Sequence, residues 1–116
     1  MSRNQSIQQP YKQRIKYKIE FPPGSMGLEL EPVIKSSERE IGCRVKDFYF
    51  SIDHCGIDQN YIEARVSIGD IICSINGEDI RSWPFADIVE KLRVLKDSKR
   101  LISFKNITAS CNFLYL

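Results

Sequence analysis

Apolar and polar side chains alternate between residues 12 and 21. One set of positions is apolar and the other is mostly basic: Ile15, Tyr17, Ile19 and Phe21 against Arg14, Lys16, Lys18 and Glu20. Because successive side chains of a β-strand point to opposite faces, this alternation predicts a strand that buries one face and leaves a basic face in water.

A proline-glycine turn, Pro22-Pro23-Gly24, is followed by a second alternating stretch. Two apolar positions there alternate with two acidic ones, Leu28 and Leu30 with Glu29 and Glu31. This pattern predicts a half-buried strand over residues 28–34. In the loop before it, Gly27 stands between two apolar residues. A tight glycine loop can turn successive N–H groups toward one point and so bind an anion such as a carboxylate.

A helical period follows further along the chain. Apolar residues recur at the spacing of one helix face, in the order Phe85, Ile88, Val89, Leu92 and Leu95. Pro84 suits the start of a helix, since its ring fixes a helical φ and its missing donor is not needed there. The pattern predicts the main helix over residues 84–95.

Shorter patterns predict the remaining elements. We expect a strand over residues 41–50 with Cys43, Val45 and Phe48 inward, a buried strand over 71–75 and a closing strand over 101–104. One short helical turn is expected over 60–64, and Asn76-Gly77 is a strong hairpin signal. Residues 35–40 are charged and lack apolar anchors, so we expect a mobile loop there.

The totals limit the classes of function. At 116 residues, with 42% hydrophobic and 28% charged residues, the chain fits one globular domain. A net charge of +2 is too small to indicate nucleic-acid binding, and no apolar run is long enough to span a bilayer. Residues 1–10 are polar and do not resemble a signal peptide, so we expect a cytoplasmic protein whose four cysteines are reduced.

Two stretches together resemble a known family. Ser25-Met26-Gly27-Leu28 precedes a strand, and Gly69-Asp70 followed by Asn76-Gly77 leads into the predicted main helix. This combination resembles a PDZ domain, over about residues 13–106. The resemblance implies an α+β fold: a small, partly open antiparallel β-barrel or sandwich of five to six strands, capped by one long and one short helix. We therefore divide the chain into a disordered tail (1–11), a PDZ-like domain (12–106) and a C-terminal extension (107–116).

The resemblance also implies a site. A partner's C-terminal peptide would add as a strand in the groove between strand 28–34 and helix 84–95. The peptide carboxylate would meet the loop formed by Ser25, Met26, Gly27 and Leu28. The peptide side chains would face Glu29, Leu30, Phe85, Val89 and Leu92. The alternative from the residues alone is that the apolar members of this set are plain core.

Two departures from the family pattern affect specificity. Phe85 stands where relatives often carry a histidine that accepts a Ser or Thr hydroxyl, so we expect an apolar side chain two residues before the ligand terminus, that is, an apolar-x-apolar preference. No Arg or Lys lies between Phe21 and Ser25, where relatives often place a cation behind the carboxylate. Lys18 is a candidate substitute.

We expect a non-catalytic module without cofactor or metal, because the single His54 has no partner residues suited to a triad or a zinc site. Trp83 either flanks the groove or caps the helix. Two other functions stay open. The basic residues Arg14, Lys16 and Lys18, with Lys99 and Arg100, are either a plain solvated strand face or the surface of a module that binds anionic lipid, and an accessory domain of a larger enzyme is the other alternative.

The expected partners are C-terminal tails of other proteins, which could also hold the protein near a membrane. The chain's own Leu114-Tyr115-Leu116 fits the apolar-x-apolar pattern, so this segment, from the same or a neighbouring molecule, is a further candidate ligand. No nucleic acid is expected.

Overall fold

A computed structural model describes residues 16–49 and 59–106. The two predicted tails lie outside this part of the chain, as do His54, the candidate ligand 114–116 and two of the four cysteines, Cys55 and Cys111. No helix in the described ranges is both long enough and apolar enough to cross a membrane.

The described residues form eight strands and two helices. The strands are β1 (Lys16–Phe21), β2 (Leu28–Glu31), β3 (Ile34–Lys35), β4 (Glu40–Ile41), β5 (Arg44–Phe48), β6 (Ile71–Ile75), β7 (Glu78–Asp79) and β8 (Arg100–Lys105). The helices are α1 (Gln59–Arg65), between β5 and β6, and α2 (Phe85–Val94), between β7 and β8.

Six of these strands form one antiparallel sheet. Its order is β1-β8-β6-β5-β2, with β7 paired to β6. Among the described strands β2 pairs only with β5, so its other edge is open. The predicted α+β fold, an antiparallel sheet with one long and one short helix, is confirmed.

The core follows from the alternation seen in the sequence. In β1, Ile19 and Phe21 are buried, and in β8, Ile102 lies buried opposite Ile19, while the buried Phe104 lies opposite Tyr17. The apolar stripe of α2 contributes Ile88 and Leu92 to the same cluster. Burial of such side chains is the main driving force for this packing.

The segment predicted as a mobile loop over residues 35–40 is a hairpin instead. β3 pairs with β4 in a separate two-stranded sheet, with Ile34 opposite Ile41. The hydroxyl of Ser36 accepts a hydrogen bond from the N–H of Arg39 at 3.1 Å, which stabilises the turn. The prediction was wrong because polar turn bonding, rather than apolar anchors, holds this connection. β2 accordingly ends at Glu31, and residue 34 belongs to the hairpin.

A bulge interrupts β6. Ile72 lies opposite Phe104 and Ser74 opposite Ser103, so that Cys73 is an extra residue without a partner in β8. Ile72 and Ile75, three positions apart, are therefore both fully buried. A regular strand would place them on opposite faces, so the bulge turns both intervening side chains outward.

Candidate functional site

A groove with a volume of about 560 Å³ lies between β2 and α2. Its walls carry apolar side chains, and one end is bordered by charged residues and by the glycine loop. The lining residues are Gly24, Ser25, Met26, Leu28, Leu30, Val89, Leu92, Arg93, Lys96, Asp97 and Arg100. Six of the nine predicted site residues are thus brought together here: Ser25, Met26, Leu28, Leu30, Val89 and Leu92.

The other three predicted residues adjoin the groove without lining it. Gly27 is buried within the loop. Glu29 is exposed and its carboxylate lies 3.6 Å from the Lys46 ammonium. Phe85, the first residue of α2, is half-buried and packs against the core.

The loop before β2 depends on a glycine at position 27. Gly27 has a φ of +75°, in the left-handed region that side chains with a Cβ rarely adopt. Its N–H donates a hydrogen bond to the Ser25 hydroxyl oxygen at 3.1 Å. One of the N–H groups predicted to meet a carboxylate is therefore already paired with an oxygen of the loop itself.

The backbone of Leu28 faces the open edge of β2. On the other side, the Tyr49 N–H donates to the Gly27 carbonyl at 2.8 Å, and Leu28 then lies opposite Phe48. Because hydrogen-bonded and non-hydrogen-bonded pairs alternate in antiparallel sheets, the N–H and C=O of Leu28 point away from β5. These two groups can bond to a strand added in the groove.

Main-chain hydrogen bonds fasten both ends of α2. At its C-terminal end, the Gly24 N–H donates to the Lys96 carbonyl at 2.7 Å. Before its N-terminal end, the Gly42 N–H donates to the Trp83 carbonyl at 2.9 Å, and Ile41 forms a β-bridge with Pro84. Main-chain bonds therefore tie both ends of α2 to the segments that flank the groove.

Gly42 also permits close packing near the start of α2. Its φ is +77°, and a Cβ placed on it would lie 3.1 Å from Cγ2 of Val33. Pro84, predicted as the first helical residue, is instead the N-cap with ψ of 141°. This extended ψ excludes it from the helix.

Arg100 is a site residue that the sequence analysis misplaced. Its side chain is only 2% exposed, and one guanidinium nitrogen, an NH2 group, donates to the carbonyls of Pro22 at 2.6 Å and Gly24 at 2.7 Å. Its Nε has no hydrogen-bond partner among the described residues. Burial lowers the pKa of Arg100, against the opposing charge of Asp97. An arginine nevertheless stays charged at neutral pH, so a buried cation lies behind the glycine loop.

The alternation of residues along β8 predicts that Arg100 points inward. Arg100, Ile102 and Phe104 occupy one face of β8, and the last two are fully buried. The prediction that Arg100 belongs to an exposed basic face was therefore wrong, because the alternation of β8 turns it inward. Lys18, proposed as the cation behind the carboxylate, lies opposite Ser103 and lines a different cavity. Arg100 takes that place instead.

Trp83 does not line the groove. It is half-buried against the core and contributes to a shallow pocket on the outer side of α2. The Lys91 ammonium lies 5.7 Å from the centre of its ring, within range of a cation–π contact. The position fits the helix-capping alternative.

The described residues offer little for catalysis. They contain no group of three or more His, Cys, Asp or Glu side chains that could hold a metal ion. Burial raises the pKa of the Cys43 thiol to about 12, so this core cysteine stays protonated at neutral pH and is a poor nucleophile.

No protein-family profile matches the sequence, and no curated protein sequence matches it either. Solved structures do resemble the fold. The PDZ2 domain of Dlg1 from the choanoflagellate Monosiga brevicollis aligns with a TM-score of 0.58 at 15% identity, covering 78% of this chain and 98% of that one.

Two further structures give the same result. A choanoflagellate GIPC PDZ domain, bound to a GAIP peptide, aligns with a TM-score of 0.54 at 16% identity over 78% of this chain and 89% of that one. A mutant of the fifth PDZ domain of InaD aligns with a TM-score of 0.55 at 22% identity over 78% of this chain and 87% of that one. The chain therefore has a PDZ-like fold.

Proposed function

We propose that this protein is a non-catalytic interaction module that binds the C-terminal peptides of partner proteins in the groove between β2 and α2. The observation that carries the proposal is the meeting of three features at one place. An open strand edge, an apolar helix face and a glycine loop with a buried arginine behind it border the same groove.

The peptide backbone adds to the sheet at β2. An extended peptide antiparallel to β2 accepts from the Leu28 N–H and donates to the Leu28 carbonyl, which both face the open edge. Main-chain bonds of this kind give affinity without dependence on side chains, and the pockets between them give selectivity. Because backbone bonds hold α2 at both ends, little ordering of the groove is needed on binding, and this favours affinity.

The terminal carboxylate of the peptide binds at the loop of Ser25, Met26, Gly27 and Leu28. Its oxygen replaces the Ser25 hydroxyl as acceptor of the Gly27 N–H. A charged acceptor makes a stronger hydrogen bond than a hydroxyl does, which favours the exchange. The Arg100 guanidinium, whose hydrogen bonds orient the carbonyls of Pro22 and Gly24 toward itself, adds positive charge behind the loop.

The side chains of the peptide are selected by shape. The last one enters the apolar part of the groove between Met26, Leu28 and Leu92, with Val89, 40% exposed, at the rim. Phe85 at the start of α2 favours an apolar residue two positions earlier, because a phenyl ring leaves a buried hydroxyl unpaired. The preferred ligand ends in apolar-x-apolar.

Peptide complexes of structural neighbours support this function. The GIPC domain that resembles this chain was solved with a GAIP peptide and also with a B1AR peptide. A cytoplasmic location fits a module that meets the tails of other proteins. The segment 114–116 of the chain itself ends in the preferred pattern and is included as one candidate ligand.

The test compares two forms of one peptide. A library of C-terminal peptides is screened, and the best apolar-x-apolar ligand is then measured by calorimetry as the free acid and as the C-terminal amide. We expect the amide to bind at least about tenfold more weakly, because it cannot supply the anion that the loop receives. Peptide 114–116 with its preceding residues is measured in the same way.

A variant locates the binding on the loop. Gly27→Val places a β-branched residue at a φ of +75° and should abolish binding of the free acid. Gly77→Val is the matched control, since Gly77 also has a positive φ, +85°, but lies in the hairpin away from the groove. Equal binding of acid and amide, or equal affinity of the Gly27→Val variant and its control, contradicts the proposed site.

A further inference from the structure

A second cavity, with a volume of about 370 Å³, lies against β1, β6 and β8. We call it the rear cavity. Its lining residues are Lys16, Tyr17, Lys18, Cys73, Ser74, Gly77, Asp79, Arg81, Ser103 and Phe104. None of these residues lines the groove between β2 and α2. The two sites are therefore separate, and a ligand in one leaves the other accessible.

The floor of the rear cavity is a product of the bulge in β6. Because Cys73 is the extra residue, both Cys73 and Ser74 point away from the core, where a regular strand would present only one of them. Both side chains are small. The Ser74 and Ser103 hydroxyls face each other at 2.5 Å across the β6–β8 pair. The floor thus carries two hydroxyls within a mostly apolar lining, and it lies lower than the long side chains around it.

Three of the lining residues are cationic and one is acidic. Lys16 and Lys18 extend from the exposed face of β1, and Arg81 follows β7. The acidic residue, Asp79, is held by Arg81 through two hydrogen bonds, at 2.9 and 2.6 Å, one to each carboxylate oxygen. This pair orients the guanidinium, and the two lysines have no salt bridge among the described residues.

The pKa of the Cys73 thiol reflects the same cluster of positive charges. Burial raises the pKa of the Cys73 thiol, but Arg81, Lys16 and Lys105 oppose this effect, whereas Asp79 reinforces it. Three cations therefore act on one point of the cavity floor. Since the pKa is raised overall, the thiol stays protonated at neutral pH and the cavity is suited to non-covalent binding.

We propose that the rear cavity binds a ligand that carries a phosphate monoester. The lysine ammoniums of Lys16 and Lys18 and the Arg81 guanidinium provide charge-assisted donors for the phosphate oxygens. Of the Ser74 and Ser103 hydroxyls, one donates to the other, and the second donates to the phosphate. The volume is sufficient for a phosphate together with the small polar body that bears it, such as a sugar or an inositol ring.

The groove does not take part in this binding, so the proposal is independent of peptide recognition. Two sources could present the ligand, a soluble phosphate ester or the headgroup of a membrane lipid. The chemistry at the cavity is the same in both cases, and the experiment separates the two.

The first measurement maps the site. Inositol 1-phosphate is titrated into the full chain at constant ionic strength, and backbone amide shifts are followed by NMR. We expect saturable shifts at Ser74, Gly77, Arg81 and Ser103, with those of Met26 and Leu28 unchanged. Unsaturable shifts, or shifts confined to residues outside the cavity, overturn the proposal, because they indicate general screening of surface charge.

Two variants and one control test whether binding depends on the charges and on the floor of the rear cavity. Lys18→Gln should weaken binding about three- to tenfold, in the range expected for one partly exposed charged contact. Cys73→Leu fills the floor without changing charge and should remove binding altogether. Lys99→Gln, with the same charge change on a side chain that is 76% exposed and outside the cavity, should bind as the unaltered protein does. Equal loss in Lys18→Gln and Lys99→Gln contradicts a built site.

The second measurement identifies the source of the phosphate. Co-sedimentation is compared for vesicles of phosphatidylcholine with and without phosphatidylinositol 4-phosphate, using the protein and the Cys73→Leu variant. Binding to the phosphorylated vesicles that is lost in Cys73→Leu assigns the cavity to a lipid headgroup. No vesicle binding together with saturable inositol 1-phosphate binding assigns it to a soluble ester. Absence of both overturns the proposal.

Discussion

The groove and the rear cavity border the same small sheet, but different backbone groups and side chains line them. The groove offers apolar side chains from β2 and α2, the backbone of a glycine loop with the buried Arg100 behind it, and the charged residues Arg93, Lys96 and Asp97 at one end. The rear cavity offers hydroxyls on its floor and cationic side chains in solvent around it. Both sites are therefore bordered by cations; the groove differs in adding an open strand edge and a glycine loop, and the rear cavity in adding hydroxyls on its floor. One sheet can present two chemically distinct sites because its edge and its face are used separately.

The largest effect is expected when Arg100, the buried cation of the groove, is replaced, because this should change the groove and leave the rear cavity as it is. Arg100→Met keeps an unbranched side chain of similar length but leaves the Pro22 and Gly24 carbonyls without their donor. Loss of two hydrogen bonds from a charged group should lower the free energy of unfolding by about 2–4 kcal/mol. Urea unfolding measures this loss, and titration of the folded variant should show at least about tenfold weaker peptide binding.

The rear cavity supplies the control for Arg100→Met. Phosphate-ester binding to the folded variant should be unchanged, because Arg100 does not line that cavity. Lys99→Met, a neighbouring cation that is exposed, should alter neither stability nor affinity appreciably. If Arg100→Met unfolds more easily but binds peptide normally once folded, Arg100 stabilises the fold without serving the groove.

An intermediate effect is expected at Asp70, whose carboxylate is hydrogen-bonded to Tyr17, a residue that lines the rear cavity. Asp70 is fully buried, and its Oδ2 accepts hydrogen bonds from the Tyr17 hydroxyl and from the Ser67 N–H at 3.1 Å. Its Oδ1 has no hydrogen-bond partner among the described residues. Burial raises the pKa of Asp70 above its ordinary value of 3.8, although both hydrogen bonds oppose the shift.

This raised pKa gives a defined pH dependence. Between the unfolded and folded pKa values the folded protein binds more protons, so its stability falls as the pH rises through this interval and then levels off. Asp70→Asn removes this contribution. The difference in unfolding free energy, variant minus unaltered protein, should grow as the pH rises from below 3.8 toward neutral. A difference that is constant with pH, or that shrinks, contradicts this account.

The smallest effect is expected from a substitution that changes only the ligand preference of the groove. Phe85→His places a hydrogen-bond acceptor at the start of α2, where Phe85 is half-buried. We expect the preference two residues before the ligand terminus to move from apolar residues toward Ser or Thr by about three- to tenfold. Stability should change by less than about 1 kcal/mol. The peptide-library screen, repeated with the variant, measures the shift; an unaltered profile shows that Phe85 does not border that ligand position.

Much of the fold and of the groove could be predicted because both rest on regular periods. The alternation around Leu28 and Leu30 and the helical stripe through Val89 and Leu92 are local patterns, and the structure places these residues as expected. The strand after the Gly69-Asp70 pair and the turn at Asn76-Gly77 were likewise visible from short-range signals.

The rest depended on interactions between distant parts of the chain. The Arg100 side chain points inward because of the register of β8 against β1, where Arg100 lies opposite Phe21. From the sequence alone, a charged residue at this position suggests the exposed face of the strand instead. The bulge at Cys73 shifts one strand against another and has no signature in five residues of β6. The hairpin of β3 and β4 depends on pairing across a polar turn rather than on hydrophobic periodicity.

The backbone hydrogen bonds at the two ends of α2 should allow some residues of the groove to be substituted without loss of the fold. Gly24 and Gly42 tie the two ends of α2 to neighbouring loops through main-chain atoms, so these contacts do not depend on the side chains that line the groove. New ligand preferences are then accessible by substitution along β2 and α2, provided that the glycines with positive φ are kept. A combinatorial library centred on the exposed Val89, with only apolar exchanges at Leu28 and Leu30, would alter selectivity, whereas Leu92 is kept because it belongs to the core.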